Sequence, residues 1–187
     1  MARRLFTLIT TGLFSVLIHA CDTPPPFEQL HQTSQTLIDH RDLSYHYAEK
    51  HFLPYIDVAY ITQFIMGRYQ WQKTSESDKN KLIESFKKAL VKLYAKNIHK
   101  KNRNIEFSKD KFKASETSAT LLGTATEKNK AKIIIGVYFH CRDNTWKLYD
   151  ISVDNVHIIE QLKLQYATTV RHKGAKGLIE ELNKFNT

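Results

Sequence analysis

Thr145-Trp146-Lys147-Leu148-Tyr149-Asp150-Ile151-Ser152-Val153 reads as a β-strand carrying apolar side chains on both faces. Successive side chains of a strand alternate, so Trp146 and Leu148 are expected on one face and Tyr149, Ile151 and Val153 on the other. A strand that is apolar on both sides lies between two covering layers or borders an internal apolar space. The preceding run, Ala131 to His140, has the same character: Ile133, Ile135, Val137 and Phe139 alternate with Ile134, Gly136 and Tyr138. Before it, Ser115 to Thr126 alternates Ala119, Leu121 and Gly123 against Thr120, Leu122 and Thr124, and Asn104 to Ser108 is a short strand candidate. Glu127-Lys128-Asn129-Lys130 and Arg142-Asp143-Asn144 suit hairpin turns, which gives a meander of four antiparallel strands. Gly123 and Gly136 lack side chains inside strands, where they permit bending and leave room for a ligand.

Helical periodicity flanks this meander on both sides. Phe27 to Asp42 carries Leu30, Leu37 and Ile38 at loosely helical spacing. Asp57 is placed to cap a helix with Val58, Ile61 and Ile65 on one side and Tyr60 and Phe64 beside them, and Gly67 is placed to end it. Capping oxygens from Thr74 to Asp78 precede the longest periodic segment, in which Leu82, Phe86, Ala89, Leu90, Leu93 and Ile98 recur at three- and four-residue steps. After the strands, Ile159, Leu162, Tyr166 and Val170 share a helical face, and Leu178, Ile179 and Leu182 share another beyond Gly174. Helices, then strands, then helices imply an α+β domain: a four-stranded antiparallel, curved sheet with helices packed on it, enclosing an apolar pocket.

The 187 residues are enough for one domain with a sizeable core. Met1 to Arg4 is basic and Leu5 to Ile18 is an apolar run ending near the small Ala20, so residues 1–20 are read as an export signal. Residues 21–26, with three consecutive prolines, form a stiff tether, and residues 27–187 form the domain. Cys21 and Cys141 are the two cysteines. Ile18-His19-Ala20-Cys21 resembles a bacterial lipobox apart from His19, so Cys21 could carry lipid and tether the protein to a membrane. Alternatively, Cys21 is bridged to Cys141 in an oxidising compartment. Both readings stand at this level.

The formal net charge is +9. Lys81, Lys88, Lys92, Lys96 and Lys100 fall at helical spacings. They make a solvated helix face, or, through Lys92, Lys96 and Lys100, a surface for transient contact with anionic membrane headgroups. No aromatic and basic interleaving of the kind used on single strands points to nucleic acid.

No standard catalytic or metal motif is present: no phosphate-binding glycine loop, no nucleophile elbow, no helical histidine pair and no zinc-spaced cysteines. His40, His46 and His51 are close in sequence but do not share a helix face, so they are read as surface residues. Asp57 and Asp150 are the acids in strongly apolar surroundings, Asp57 as a helix cap and Asp150 as a hydrogen-bonded structural acid. A small cone-shaped enzyme using either as a base, and a structural envelope lipoprotein, are the alternatives.

Taken in order, several pieces resemble one family. Phe52-Leu53-Pro54-Tyr55-Ile56-Asp57, Met66-Gly67-Arg68-Tyr69, and Phe86, Leu90 and Tyr94 look like the first half of MlaC-type proteins, the periplasmic phospholipid-binding components of lipid-transport ABC systems. Trp146 to Val153 is similar to that family's Trp-x-x-Tyr-Asp-Val strand, with Gln165-Tyr166 and Gly177-Leu178-Ile179 following in place. Asn155, His157 and Leu162-Lys163 depart from the family's usual Gly, Ser and Tyr-Arg. The resemblance implies a non-enzymatic carrier with no cofactor and phospholipid as cargo. Its implied partners are an inner-membrane ABC transporter complex and an outer-membrane lipoprotein and porin complex, in a system that maintains outer-membrane lipid asymmetry. The residues that would line its pocket are Ile61, Ile65, Leu121, Ile135 and Val137 with Tyr149, Ile151, Val153, Leu162 and Tyr166. On this reading Tyr149, Ile151 and Val153 form the wall, with Trp146 and Leu148 packed behind it.

Overall fold

The computed structural model describes residues 21, 24–39, 45–98, 103–127 and 131–186. The export-signal reading of residues 1–20 and the side chains of Lys96 and Lys100 lie outside the described residues. Five helices precede the sheet: α1 (Phe27–Asp39), α2 (Tyr45–His51), α3 (Val58–Met66), α4 (Arg68–Lys73) and α5 (Glu76–Ile98). The strands are β1 (Arg103–Phe107), β2 (Lys113–Ala114), β3 (Ser118–Glu127), β4 (Ile133–Arg142), β5 (Thr145–Val153) and β6 (Val156–His157), and α6 (Ile158–Asn186) closes the chain. Among the described residues no helix is long and apolar enough to cross a membrane.

Local signals account for most of the boundaries. The Asp57 carboxylate accepts the Tyr60 N–H at 2.9 Å and starts α3. Gly67, with φ of 71°, turns the chain from α3 into α4 in a conformation that costs other residues strain. The Ser75 hydroxyl accepts the Asp78 N–H ahead of α5. Gly174, at φ 59° and ψ −152°, breaks α6 where the sequence places a new helix.

The four expected strands are present, and two-residue strands bring the sheet to six, in the order β1-β3-β4-β5-β6 with β2 also on β3. All five strand–strand pairings are antiparallel, and Ile56 adds an isolated parallel bridge to Leu148. One feature departs from simple alternation. The register shifts between Tyr138 opposite Asp150 and Phe139 opposite Leu148, leaving Tyr149 as the extra residue of a β-bulge. Cross-strand partners share a face, so Leu148 and Trp146 lie with Phe139 and Cys141, and Ile151 lies with Val137 and Val153 with Ile135. The expectation of Trp146 and Leu148 behind a wall of Tyr149, Ile151 and Val153 is therefore corrected. Trp146, Leu148, Ile151 and Val153 are on one face, and Tyr149 is on the other with Tyr138 and His140.

The first of these faces holds the sheet's part of the core: Ala119, Leu121, Val137, Phe139 and Leu148 are buried with Leu30, Ile61, Ile65, Phe86, Tyr166 and Leu178 from the helices. The space expected at the strand glycines is occupied. A Cβ on Gly123 would stand 2.7 Å from the Phe107 ring and 2.8 Å from the Glu106 carbonyl, and one on Gly136 would stand 2.5 Å from the Ser152 hydroxyl.

Candidate functional site

The seam between α3, the start of α6 and strands β4 and β5 concentrates the buried polar chemistry. Asp57 is 5% exposed and receives His140 Nε2 at 2.9 Å and Arg142 Nη1 at 3.2 Å, besides the Tyr60 amide. Its own N–H donates to the Leu148 carbonyl at 2.9 Å. One residue thus caps a helix and ties it to two strands. Burial acts to raise the Asp57 carboxyl pKa, but the His140 hydrogen bond, the Tyr60 amide and the Arg142 charge outweigh it and bring it down to about 2.

Asp150 does the equivalent for α6. Its Oδ1 accepts the Ile151 and Ile159 amides at 2.8 and 3.2 Å, and its Oδ2 pairs with His157 Nδ1 at 2.6 Å. Both acids therefore have their oxygens committed to helix starts and histidines. An ionised carboxyl with a pKa of about 2 is a weak proton acceptor at neutral pH, so Asp57 is ill suited to serve as a base. Between the two acids, Tyr60 packs edge-on against His140 (4.7 Å) and Tyr149 (5.4 Å), and His140 stacks on Tyr149 at 4.9 Å. Tyr138 continues the cluster to His157 at 4.8 Å and shares a hydrogen bond of 3.1 Å with Ser152. Burial, followed by the neighbouring Tyr60, Asp150 and Tyr138, pushes the Tyr149 hydroxyl up from its ordinary value.

The ten residues expected to line a pocket divide into three groups. Ile61, Ile65, Leu121, Val137 and Tyr166 are buried together in the core. Ile135, Tyr149 and Leu162 are partly buried against it. Ile151 and Val153 are 39% and 38% exposed, although Ile151 pairs directly with the buried Val137. The apolar face of β4 and β5 thus runs from the interior out to solvent and continues into Val156, the partner of Val153 and 49% exposed. Leu148 and Phe139 belong to this face and are not among the ten. Phe139 and Leu148 were visible as apolar residues of two-sided strands, whereas the bulge that aligns their faces leaves no local signature.

Cys21 is bonded to Cys141 across a sequence separation of 120, with the Cα atoms 5.8 Å apart. A sulfur held in a disulfide cannot carry a thioether lipid, so the alternative of a membrane tether through Cys21 is set aside. The disulfide also fastens the segment before α1 to β4. On α5, Lys92 donates to the Phe185 carbonyl at 2.6 Å and lies 5.4 Å from the centre of that ring, which anchors its charge beside the end of α6.

Residues 26–184 match the family model described as MlaC protein. Among solved structures, the fold is similar to that of a phospholipid-binding protein from Ralstonia solanacearum solved in complex with a phospholipid. That likeness has a TM-score of 0.68 and 21% sequence identity, and covers 85% of this chain and 93% of the other. No curated protein matches the sequence.

Proposed function

The chain belongs to the MlaC family, and on that premise we propose that it is a phospholipid carrier of the periplasm, passing lipid between an outer-membrane complex and an inner-membrane ABC transporter. The observation that carries the proposal is the single apolar face of β4 and β5, which leads from Val137 in the core to Ile151 and Val153 in solvent. Each methylene kept from water contributes about 0.8 kcal/mol, so an acyl chain of about 14 methylenes is held by something on the order of 11 kcal/mol when fully enclosed. A carrier crossing an aqueous compartment needs such an enclosure, and a cofactor would add nothing to it.

In this reading Ile61, Ile65, Leu121, Val137 and Tyr166 form the inner wall and Ile135, Ile151, Val153 and Leu162 form its approach, while Tyr149, on the opposite face of the sheet, takes no part in it. The inner residues are closed on one another, with Leu121 at 0% and Ile65 at 2% exposure, so acyl chains enter by parting the helices from the sheet. Lys92 and Lys96 of α5, with Lys100 following in the sequence, would meet anionic headgroups during exchange.

Protein isolated from its native envelope without detergent is expected to carry phospholipid at about one molecule per chain by mass spectrometry. Lipid-free protein that also takes none from labelled vesicles would refute the carrier reading.

A further inference from the structure

Outside the core, α3, α4 and α6 surround an open groove of about 350 Å³. Its aromatic lining is Tyr60, Phe64 and Trp71, and its cations are Arg68 and Lys163. The side-chain amides of Gln63 and Gln72 add donors and acceptors to the rim. Gly67 stands in the wall with open space where a Cβ would be, and its φ of 71° favours glycine on backbone grounds. The turn between α3 and α4 therefore leaves one side of the groove without a side chain.

The charge pattern is unbalanced. Among the described residues neither Arg68 nor Lys163 meets a carboxylate, and the Lys163 ammonium lies 4.4 Å from the centre of the Phe64 ring. The nearby Lys79, over the Trp71 ring at 5.3 Å, is already paired with Glu76 at 2.7 Å. Two cations without counter-ions over an aromatic floor suit a ligand that is anionic at one end and apolar at the other. A bare inorganic anion would gain nothing from the rings, and a neutral apolar ligand would leave the cations unmatched.

We propose that this groove binds the phosphodiester headgroup of a phospholipid, a site that rests on the carrier reading and gives it a recognition element. The position fits the route of the chains. Lys163 of the lining follows Leu162, which packs against the core, and Tyr60 of the lining lies on α3 next to the buried Ile61. A phosphate between Arg68 and Lys163 would set the glycerol backbone at the α3–α6 seam, beside the helices that part from the sheet to admit the chains.

Trp71 is itself the reporter. In the full chain carrying Trp146→Phe and depleted of lipid with methyl-β-cyclodextrin, dihexanoyl phosphatidylglycerol below its micelle concentration should change Trp71 fluorescence to saturation. The Arg68→Ala/Lys163→Ala variant should weaken that binding about tenfold or more. Inorganic phosphate and dihexanoylglycerol, each tested alone, should leave the signal unchanged over the same concentrations. Equal binding by the variant, or an equal response to dihexanoylglycerol, overturns the assignment. Saturation by inorganic phosphate reassigns the groove to free phosphate and likewise overturns it. Lipid content on isolation is measured separately: lipid-bearing wild-type protein with an unaltered variant titration removes the groove and leaves the carrier reading standing, whereas lipid-free wild-type protein with the expected titration does the reverse.

Discussion

Asp57 shows how one side chain is asked to satisfy several elements at once. Its carboxyl pKa lies at about 2 in the folded protein against an ordinary 3.8, because His140, the Tyr60 amide and Arg142 outweigh the cost of its burial. The shift corresponds to about 2 kcal/mol of stability at neutral pH. A depressed folded-state pKa makes that contribution complete above the unfolded value and progressively lost as the pH falls toward about 2, so the window is pH 4 to 2 and raising the pH changes nothing through this group. Asp57→Asn is expected to lower unfolding stability at pH 7 by about 2 kcal/mol and to flatten the acid limb in that window, as read by urea denaturation at stepped pH. An acid limb identical to that of the wild type would show that Asp57 does not control it. Half of this role was legible in the sequence: Asp-Val-x-Tyr at the head of an apolar period announces a cap. The partners His140 and Arg142, 83 and 85 residues away, were not, because nothing local marks which distant side chain will reach a capping acid. Gly123 teaches the same lesson with the opposite sign. A missing side chain in a strand advertised free space, but the Phe107 ring fills it, and only the pairing of β1 with β3 reveals that neighbour.

At the scale of elements, period and punctuation were enough for the helices and the four long strands, since amphipathic spacing, caps and glycine breaks act within a few residues of themselves. The face of β5 was not, because the bulge at Tyr149 arises between two strands and reverses the alternation on one side of it. The bulge has a consequence for the site. It places Leu148 beside Phe139 in the core while sending Tyr149 to Tyr60 and His140, so one strand supplies both the apolar face and the polar cluster. The neighbouring strand is fastened at Cys141 to Cys21, and closing a loop across a separation of 120 is worth up to about 4–5 kcal/mol in the chain-entropy model, with about 2–4 kcal/mol the usual return. Cys21→Ser/Cys141→Ser, or reduction of the wild type, should therefore lower stability by about 3 kcal/mol. The segment ahead of Phe27 should become cleavable by protease in the native state, since the sulfur bond joins it to β4. Unchanged thermal unfolding with and without reductant would mean that the bridge does not form in the purified protein.

For the molecule as a whole, the question is how a closed core can also be a container. Leu121, Ile65, Ile61 and Val137 are packed as a solid core would be, and burial by itself does not separate a pocket wall from ordinary interior. The distinguishing residues are those with no core to serve. Ile151 and Val153 are more than one third exposed, extend the same face as Val137, and gain little stability where they stand. Under the carrier reading they are the point at which acyl chains first leave water. Ile151→Asp/Val153→Asp is accordingly expected to change unfolding stability by less than about 1 kcal/mol, because both side chains already face solvent. The same variant should take up phospholipid from labelled vesicles several-fold more slowly, since each entering chain must pass two charged groups where the wild type offers apolar contact. The measurement pairs denaturant unfolding with fluorescence transfer from donor vesicles. Normal stability with normal uptake would detach Ile151 and Val153 from the lipid path and require chains to enter elsewhere between α3 and the sheet. Normal stability with slowed uptake would instead mark the exposed end of one β-face as the doorway to a core that opens only for its cargo.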